Sequence, residues 1–271
     1  MSVPVIRIFS DLHYGDSECR IPALDALAPL FVGVDQIVLN GDTLDTQSDT
    51  DHTSLTALRT FFSRHPGKVT WLSGNHDPDI EGGLTELSLL DDRVWITHGD
   101  VLFDDIAPWS SLRGEMIRSL TALARDLPAS ERALIETRLR LNRQACLGLV
   151  EAHPRHYRGR LTRIRRLIHT VFPPHRILAM LRAWRESPAL ARRLARAQRP
   201  RARLIVLGHT HHAGVWRETN GITVVNTGTF CTPFDPRFVE LRGDQVRVVR
   251  IVRRGGEFHP GPVVAEFPLA P

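Results

Sequence analysis

Short runs of aliphatic and β-branched residues, each closed by a polar or glycine-containing turn, organise the first hundred positions. VIRIF (5–9), QIVLN (36–40), KVTWLS (68–73) and RVWIT (93–97) are such runs, and their length and composition predict strands. Between them, the spacing of Leu24, Leu27 and Leu30, and of Leu55, Leu58, Phe61 and Phe62, predicts helices. Alternation of this kind predicts a mostly parallel, buried sheet.

The pattern changes over 105–200, where strand-like runs disappear. Ile164, Leu167, Ile168, Val171 and Phe172 recur at helical spacing, as do Ile177, Leu178, Leu181 and Trp184, with Arg on the opposite faces. These positions predict basic amphipathic helices broken at Pro128, Pro154, Pro173-Pro174 and Pro188. SPAL at 187–190 is read as a cap followed by a first-turn proline that opens one more helix. After 201 the strands return. RLIVL precedes GVWRETNGITVVN, whose Asn220-Gly221 pair signals a hairpin, and RFVELRGDQVRVVRIV reads as a second hairpin about Gly243-Asp244. The expectation is a core made of 1–104 and 201–271, carrying a helical insertion at 105–200.

Charge sharpens that division. The 271 residues carry a formal net charge of +5. Residues 105–200 alone hold 20 Arg against 7 Asp and Glu, so the remainder is acidic. An arginine-biased composition explains Arg over Lys but not this clustering, which assigns the insertion a separate job. Cys19, Cys146 and Cys231 show neither zinc-site nor disulfide-framework spacing, and are read as reduced thiols. The stretch VPVIRIFSD lacks a signal-peptide pattern. No apolar run approaches the roughly 20 residues of a membrane span. A cytoplasmic protein is expected, with peripheral membrane contact as a further option.

The chemistry gathers where the strands end. The first run leads to Asp11 and His13, the second to Asp42, the third to Asn75, His76 and Asp77, the fourth to His98, and RLIVLG to His209, His211 and His212. In open α/β sheets, ligands collect at the C-terminal edge. Each motif alone has a plainer reading: Asp42 after Gly41 as a turn residue, GNHD as a turn with a helix cap, His98 as a half-buried histidine. Together, Asp, His and Asn side chains form a donor set for Mn, Fe or Zn, with no thiolate to favour a soft ion. These donors are too many for one ion and suffice for two if one carboxylate bridges. Two such ions can clamp a phosphoryl group and acidify a shared water.

Asp11-Leu12-His13, Gly41-Asp42, Gly74-Asn75-His76-Asp77, His98-Gly99-Asp100 and Gly208-His209-Thr210-His211, in this order, resemble the calcineurin-like metallophosphoesterase superfamily, and VNTGT (225–229) is similar to its closing segment. The resemblance covers the two core blocks and implies a four-layer α/β/β/α sandwich. It further implies that Asp11, His13 and His211 hold one divalent ion and Asn75, His98 and His209 another. Asp42 would bridge them. His76 would serve as the catalytic group that meets the substrate and protonates the leaving oxygen. Asp77 and Asp100 are candidates to orient His76 and a ligand imidazole by hydrogen bonds; His212 and Asp45 are read as bystanders or as residues just behind the ligands. Manganese is the first expectation for the ions, with Fe and Zn suited to the same donors.

The layout is most similar to the UDP-2,3-diacylglucosamine hydrolase family, which also carries a helical insertion between HGD and GHTH. That family has GNRD where this sequence has GNHD. The resemblance implies a phosphoester, phosphodiester or diphosphate substrate, lipid- or nucleotide-linked. A nuclease or cyclic-nucleotide phosphodiesterase of the same superfamily is the alternative, and a non-catalytic scaffold the less favoured one. The insertion, whose two ends emerge beside the metal motifs, is expected to be a lid that selects substrate. Its basic faces are read first as the solvated surface of an ordinary helical cap, next as a match for an anionic membrane surface, and last as a nucleic-acid site, because the insertion has few aromatics and no nucleic-acid-binding signature.

Overall fold

The computed structural model describes residues 3–46, 49, 51–152, 174–219 and 221–269. Two mixed β-sheets pack face to face. The first has six strands in the order β11-β10-β9-β1-β2-β3. Its β1 (Val5–Phe9), β2 (Gln36–Asn40) and β3 (Lys68–Leu72) are parallel. Its β9 (Arg237–Arg242), β10 (Gln245–Arg254) and β11 (Glu257–Pro268) add antiparallel beside β1. The second sheet runs β4-β5-β6-β8-β7. Here β5 (Val94–Thr97), β6 (Leu204–Leu207) and β8 (Thr223–Asn226) are parallel, and β4 (Glu86–Leu89) and β7 (Gly214–Trp216) flank them antiparallel. The single mostly parallel sheet expected from the strand–helix alternation is therefore two mixed sheets. Strands buried on both faces give the same apolar runs in either arrangement.

Alternation along each strand divides three cores. Ile6, Ile8, Val38, Ile96, Val206 and Val239 meet between the sheets. On the outer face of the first sheet, Phe9, Leu39 and Phe238 pack under a 3-10 helix (Leu24–Phe31) and α1 (Thr53–Ser63). The three-residue spacing of Leu24, Leu27 and Leu30 matches the 3-10 period, and all three are buried. On the outer face of the second sheet, Trp95, Ile205 and Val224 pack under the helices that follow β5. The result is the α/β/β/α sandwich. The hairpin at Gly243-Asp244 joins β9 to β10, with Gly243 at φ 56°. Gly221 lies in the connection between β7 and β8; Asn220 lies outside the described residues.

Among the described residues, no strand lies between β5 and β6. The chain there forms α2 (Arg113–Leu123), α3 (Ala129–Arg132), α4 (Ile135–Ala152) and α5 (His175–Gln198). The expected helical stripe from Ile164 to Phe172 lies outside the described residues. In α5 two expectations fail. Pro188 opens no new helix but lies inside α5. The carbonyl of Trp184 that it leaves without an amide partner accepts a bond from Ser187 Oγ at 3.4 Å. The buried stripe is Ala183, Ser187, Ala191 and Ala195 rather than Leu178 and Leu181, which are 66% and 47% exposed. Small residues bring α5 close against the sheet, which the larger aliphatic spacing does not reveal. No helix among the described residues is long and apolar enough to cross a membrane.

Candidate metal centre

The loops after β1, β2, β3, β5 and β6 converge on one rim where the parallel strands of both sheets end. Their backbone is strained there: Asp11, His13, Asp42, His209 and His211 have φ of 51°, 47°, 49°, 65° and 58°. Asp and His tolerate this left-handed region better than most residues, and such strain concentrates at functional sites. Two glycines make room for the carboxylates. A Cβ at Gly74 would lie 2.2 Å from Asp42 Oδ1, and one at Gly208 would lie 2.2 Å from Asp11 Oδ2.

Two groups of donor atoms result. Asp11, His13, Asp42 and His211 form one, and Asp42, His98 and His209 the other, each with its donor atoms within 4.8 Å of one another. In the first, His13 Nε2 and His211 Nε2 are 3.0 Å apart, and His211 Nε2 lies 3.2 Å from Asp11 Oδ1. In the second, His98 Nε2 lies 3.2 Å from Asp42 Oδ2. Asn75 Oδ1 completes this group at 2.7 Å from His209 Nδ1 and 3.2 Å from His98 Nε2. Donors about 2.1 Å from a shared ion sit roughly 3.0–3.4 Å from each other, so these spacings fit coordination. Asp42 alone belongs to both groups.

In His98 and His209 the nitrogen facing away from the pocket also has a partner. His98 Nδ1 lies 3.0 Å from the Asn40 carbonyl, and His209 Nε2 lies 2.8 Å from that of Ile106. An imidazole that donates outward to a carbonyl presents its other nitrogen as a lone pair, the tautomer a metal requires. Burial pushes His13 and His209 down to about 4, keeping them neutral. Burial alone would raise the Asp11 and Asp42 carboxyls, but neighbouring imidazoles hold both below their ordinary value, Asp42 far below. Burial opposes a charge on His98, yet Asp42 and Asp11 raise it well above the usual imidazole value. Buried carboxylates that draw a proton onto a neighbouring imidazole mark a pocket that favours cations. The donor set and its spacing therefore suit divalent ions.

His76 stands outside both donor groups. Its ring meets His13 edge-on at 5.2 Å, it is half-buried at the mouth, and its Nδ1 lies 3.3 Å from Asp45 Oδ2. Its backbone N–H donates to Asp42 Oδ1 at 2.8 Å. Sequence reasoning assigned the orientation of His76 to Asp77. The structure puts Asp45 at that ring, and Asp45 is signalled in the sequence only by its place three residues after Asp42. Asp77 braces the backbone instead: Oδ1 accepts from Gly74 N–H (2.7 Å) and Asp42 N–H (3.0 Å), and Oδ2 from Thr43 N–H (2.7 Å). Burial and the Asp42 charge push its carboxyl up to about 7, against the pull of the Gly74 and Thr43 amides. Removing such an acceptor strands buried donors at about 1–3 kcal/mol each. Asp100 hydrogen-bonds no imidazole among the described residues; Oδ2 accepts from Asn142 Nδ2 of α4 at 2.8 Å. His212 stacks on Trp184 of α5, ring centroids 4.6 Å apart.

Groups to which sequence reasoning gave no part in the site hold the loops. Asn226 Nδ2, at the end of β8, donates to the Gly208 carbonyl at 2.6 Å. Thr229 Oγ1 donates to the Asp11 carbonyl at 2.9 Å. Trp184 Nε1 donates to the Thr210 carbonyl, between His209 and His211, at 2.8 Å.

Solved structures of low identity superpose on the chain along nearly its whole length. Vacuolar Protein Sorting 29 from Cryptosporidium parvum is 15% identical with a TM-score of 0.48, over 99% of this chain and 100% of that one. A dimetal phosphatase from Danio rerio is 14% identical with a TM-score of 0.47, over 100% of both. Vps29 from Entamoeba histolytica, complexed with zinc, is 12% identical with a TM-score of 0.44, over 98% and 99%. No curated protein matches the chain. Residues 4–213 match the model of the calcineurin-like phosphoesterase family, a span that includes all seven candidate ligands and His76. The chain belongs to the calcineurin-like phosphoesterase family.

Proposed function

We propose that the protein is a dinuclear-metal phosphoesterase. The reading is carried by one observation: two groups of Asp and His donors that share Asp42. Asp11, His13 and His211 are assigned to one ion, Asn75, His98 and His209 to the other, and Asp42 to both. Bound there, two divalent ions supply Lewis acidity to a phosphoryl group and acidify a water. His76, at the mouth, donates a proton to the leaving oxygen, held for that task by Asp45. Manganese is the favoured ion, with Fe and Zn compatible with a donor set free of thiolate.

The substrate we favour is a lipid- or nucleotide-linked diphosphate or phosphodiester, of the kind cleaved by UDP-2,3-diacylglucosamine hydrolases. Support comes from the motif order and from the Arg-rich helices between HGD and GHTH, whose field would draw an anionic substrate or membrane surface. His76 in place of that family's Arg leaves cyclic nucleotides and nucleic acid as alternatives.

The test strips the protein with chelator and restores Mn. Hydrolysis of a chromogenic phosphodiester is expected to vanish and return, with two ions per chain at full activity. A panel of lipid-linked diphosphate, cyclic nucleotide and simple monoester then ranks substrates. A protein that takes up no metal and stays inert across the panel would be a scaffold.

A further inference from the structure

We propose that the helical segment between β5 and β6 builds one of the two metal positions, with Ile106, Trp109 and Asn142 as positioning residues for His98 and His209. The proposal rests on the two-metal reading above and goes beyond a lid: the segment would set whether the second ion binds, not only which substrate enters.

Three observations carry it. First, His209 Nε2 lies 2.8 Å from the carbonyl of Ile106. That carbonyl is aimed by an unusual backbone. Ile106 has φ 63° and is fully buried. It sits at the centre of a three-residue turn closed by Ala107 N–H to the Asp105 carbonyl at 2.6 Å. A β-branched residue in that region is a genuine outlier, and strain of this kind persists only where the surroundings enforce it. Second, the His209 ring is walled by Trp109 at 5.1 Å and Phe103 at 5.9 Å, with Trp109 edge-on to Phe103 at 5.8 Å. Third, Asp100, two residues after His98, is buried and tied to Asn142 of α4. The loop after β5 thus turns directly into the helical segment, and α4 grips it.

The other position is built differently. Asp11 N–H donates to the Gly41 carbonyl and His13 N–H to that of Asp42. The Asp11 carbonyl accepts from Thr229 Oγ1 and from Phe230 N–H. These are contacts within the two sheets and their edge loops. Trp184 braces the loop between His209 and His211 and so serves both positions. Loss of the Ile106, Trp109 and Asn142 contacts, with Trp184 left in place, strips one ion and costs small and large substrates alike, unlike loss of a selective lid.

The test compares Asn142→Ala and the milder Trp109→Phe with the wild type, by titration calorimetry with Mn and by metal content at limiting Mn. Far-UV circular dichroism and melting of the metal-free forms check that they fold. Loss of an outer partner typically weakens metal binding about 10–100-fold, so one of the two binding steps should weaken by that factor and metal content should fall from two towards one per chain. The Mn paramagnetic resonance should shift from a coupled pair to an isolated ion. Arg182→Ala, on the exposed face of α5, should keep both ions; Thr229→Ala should weaken the opposite step. Variants that bind two ions as the wild type does, or that lose both steps equally, overturn the proposal. A wild type that binds no ion overturns the two-metal reading instead.

Discussion

Asp42→Asn removes both ions at once and lowers turnover at saturating Mn by about 10³-fold or more, the scale expected when a two-ion clamp on a phosphoryl group is lost. Among the described residues, only Asp42 is common to both donor groups. Its Oδ2 lies 3.2 Å from His98 Nε2 and 3.8 Å from His13 Nε2. An amide keeps the shape, and its oxygen can still accept the His76 N–H that now bonds Oδ1. What disappears is the negative charge that offsets two cations and that holds His98 charged in their absence. The fold should survive, because the sheets pack through an apolar cluster to which Asp42 does not belong. Metal content and kcat are the readouts; a variant that retains two tightly held ions would show that the bridge lies elsewhere.

His76→Ala, in contrast, keeps both ions and loses about 10²–10⁴-fold in kcat, the usual worth of a positioned proton donor. The ring lies outside both donor groups, and its Nδ1 lies 3.3 Å from Asp45 Oδ2. The loss should depend on the ester. An alkyl leaving group needs the proton and should suffer most, whereas a nitrophenolate leaves readily without it and should suffer least. Steady-state rates on the two classes, with metal content measured in parallel, separate this role from coordination. Equal losses on both esters would place His76 on the phosphoryl oxygens, and loss of metal would make it a ligand.

The donor groups that meet at the rim were legible in the sequence because each is a side chain placed directly after an apolar strand. Ile8-Phe9 before Asp11 and Val206-Leu207 before His209 are buried on both faces, so the runs stand out and their ends are marked. Other elements lack such a signature. β4 is a half-buried edge strand of sequence ELSL with no β-branched residue. β11 carries Pro260, Gly261 and Pro262 in its interior, which its edge position tolerates. The division into two sheets left no trace in periodicity, since central strands read alike in either. In α5, Pro188 signals a break that the helix does not make, because Ser187 satisfies the carbonyl left open. At the site, the Ile106 carbonyl that faces His209 is a backbone group, and no residue type announces it.

Anomalous diffraction from a crystal grown with manganese would locate the ions. Two peaks about 3.5–4 Å apart should flank the Asp42 carboxylate, one within bonding distance of Asp11, His13 and His211, the other of Asn75, His98 and His209. A single peak away from Asp42, or none with those imidazoles turned out of the pocket, would contradict the account.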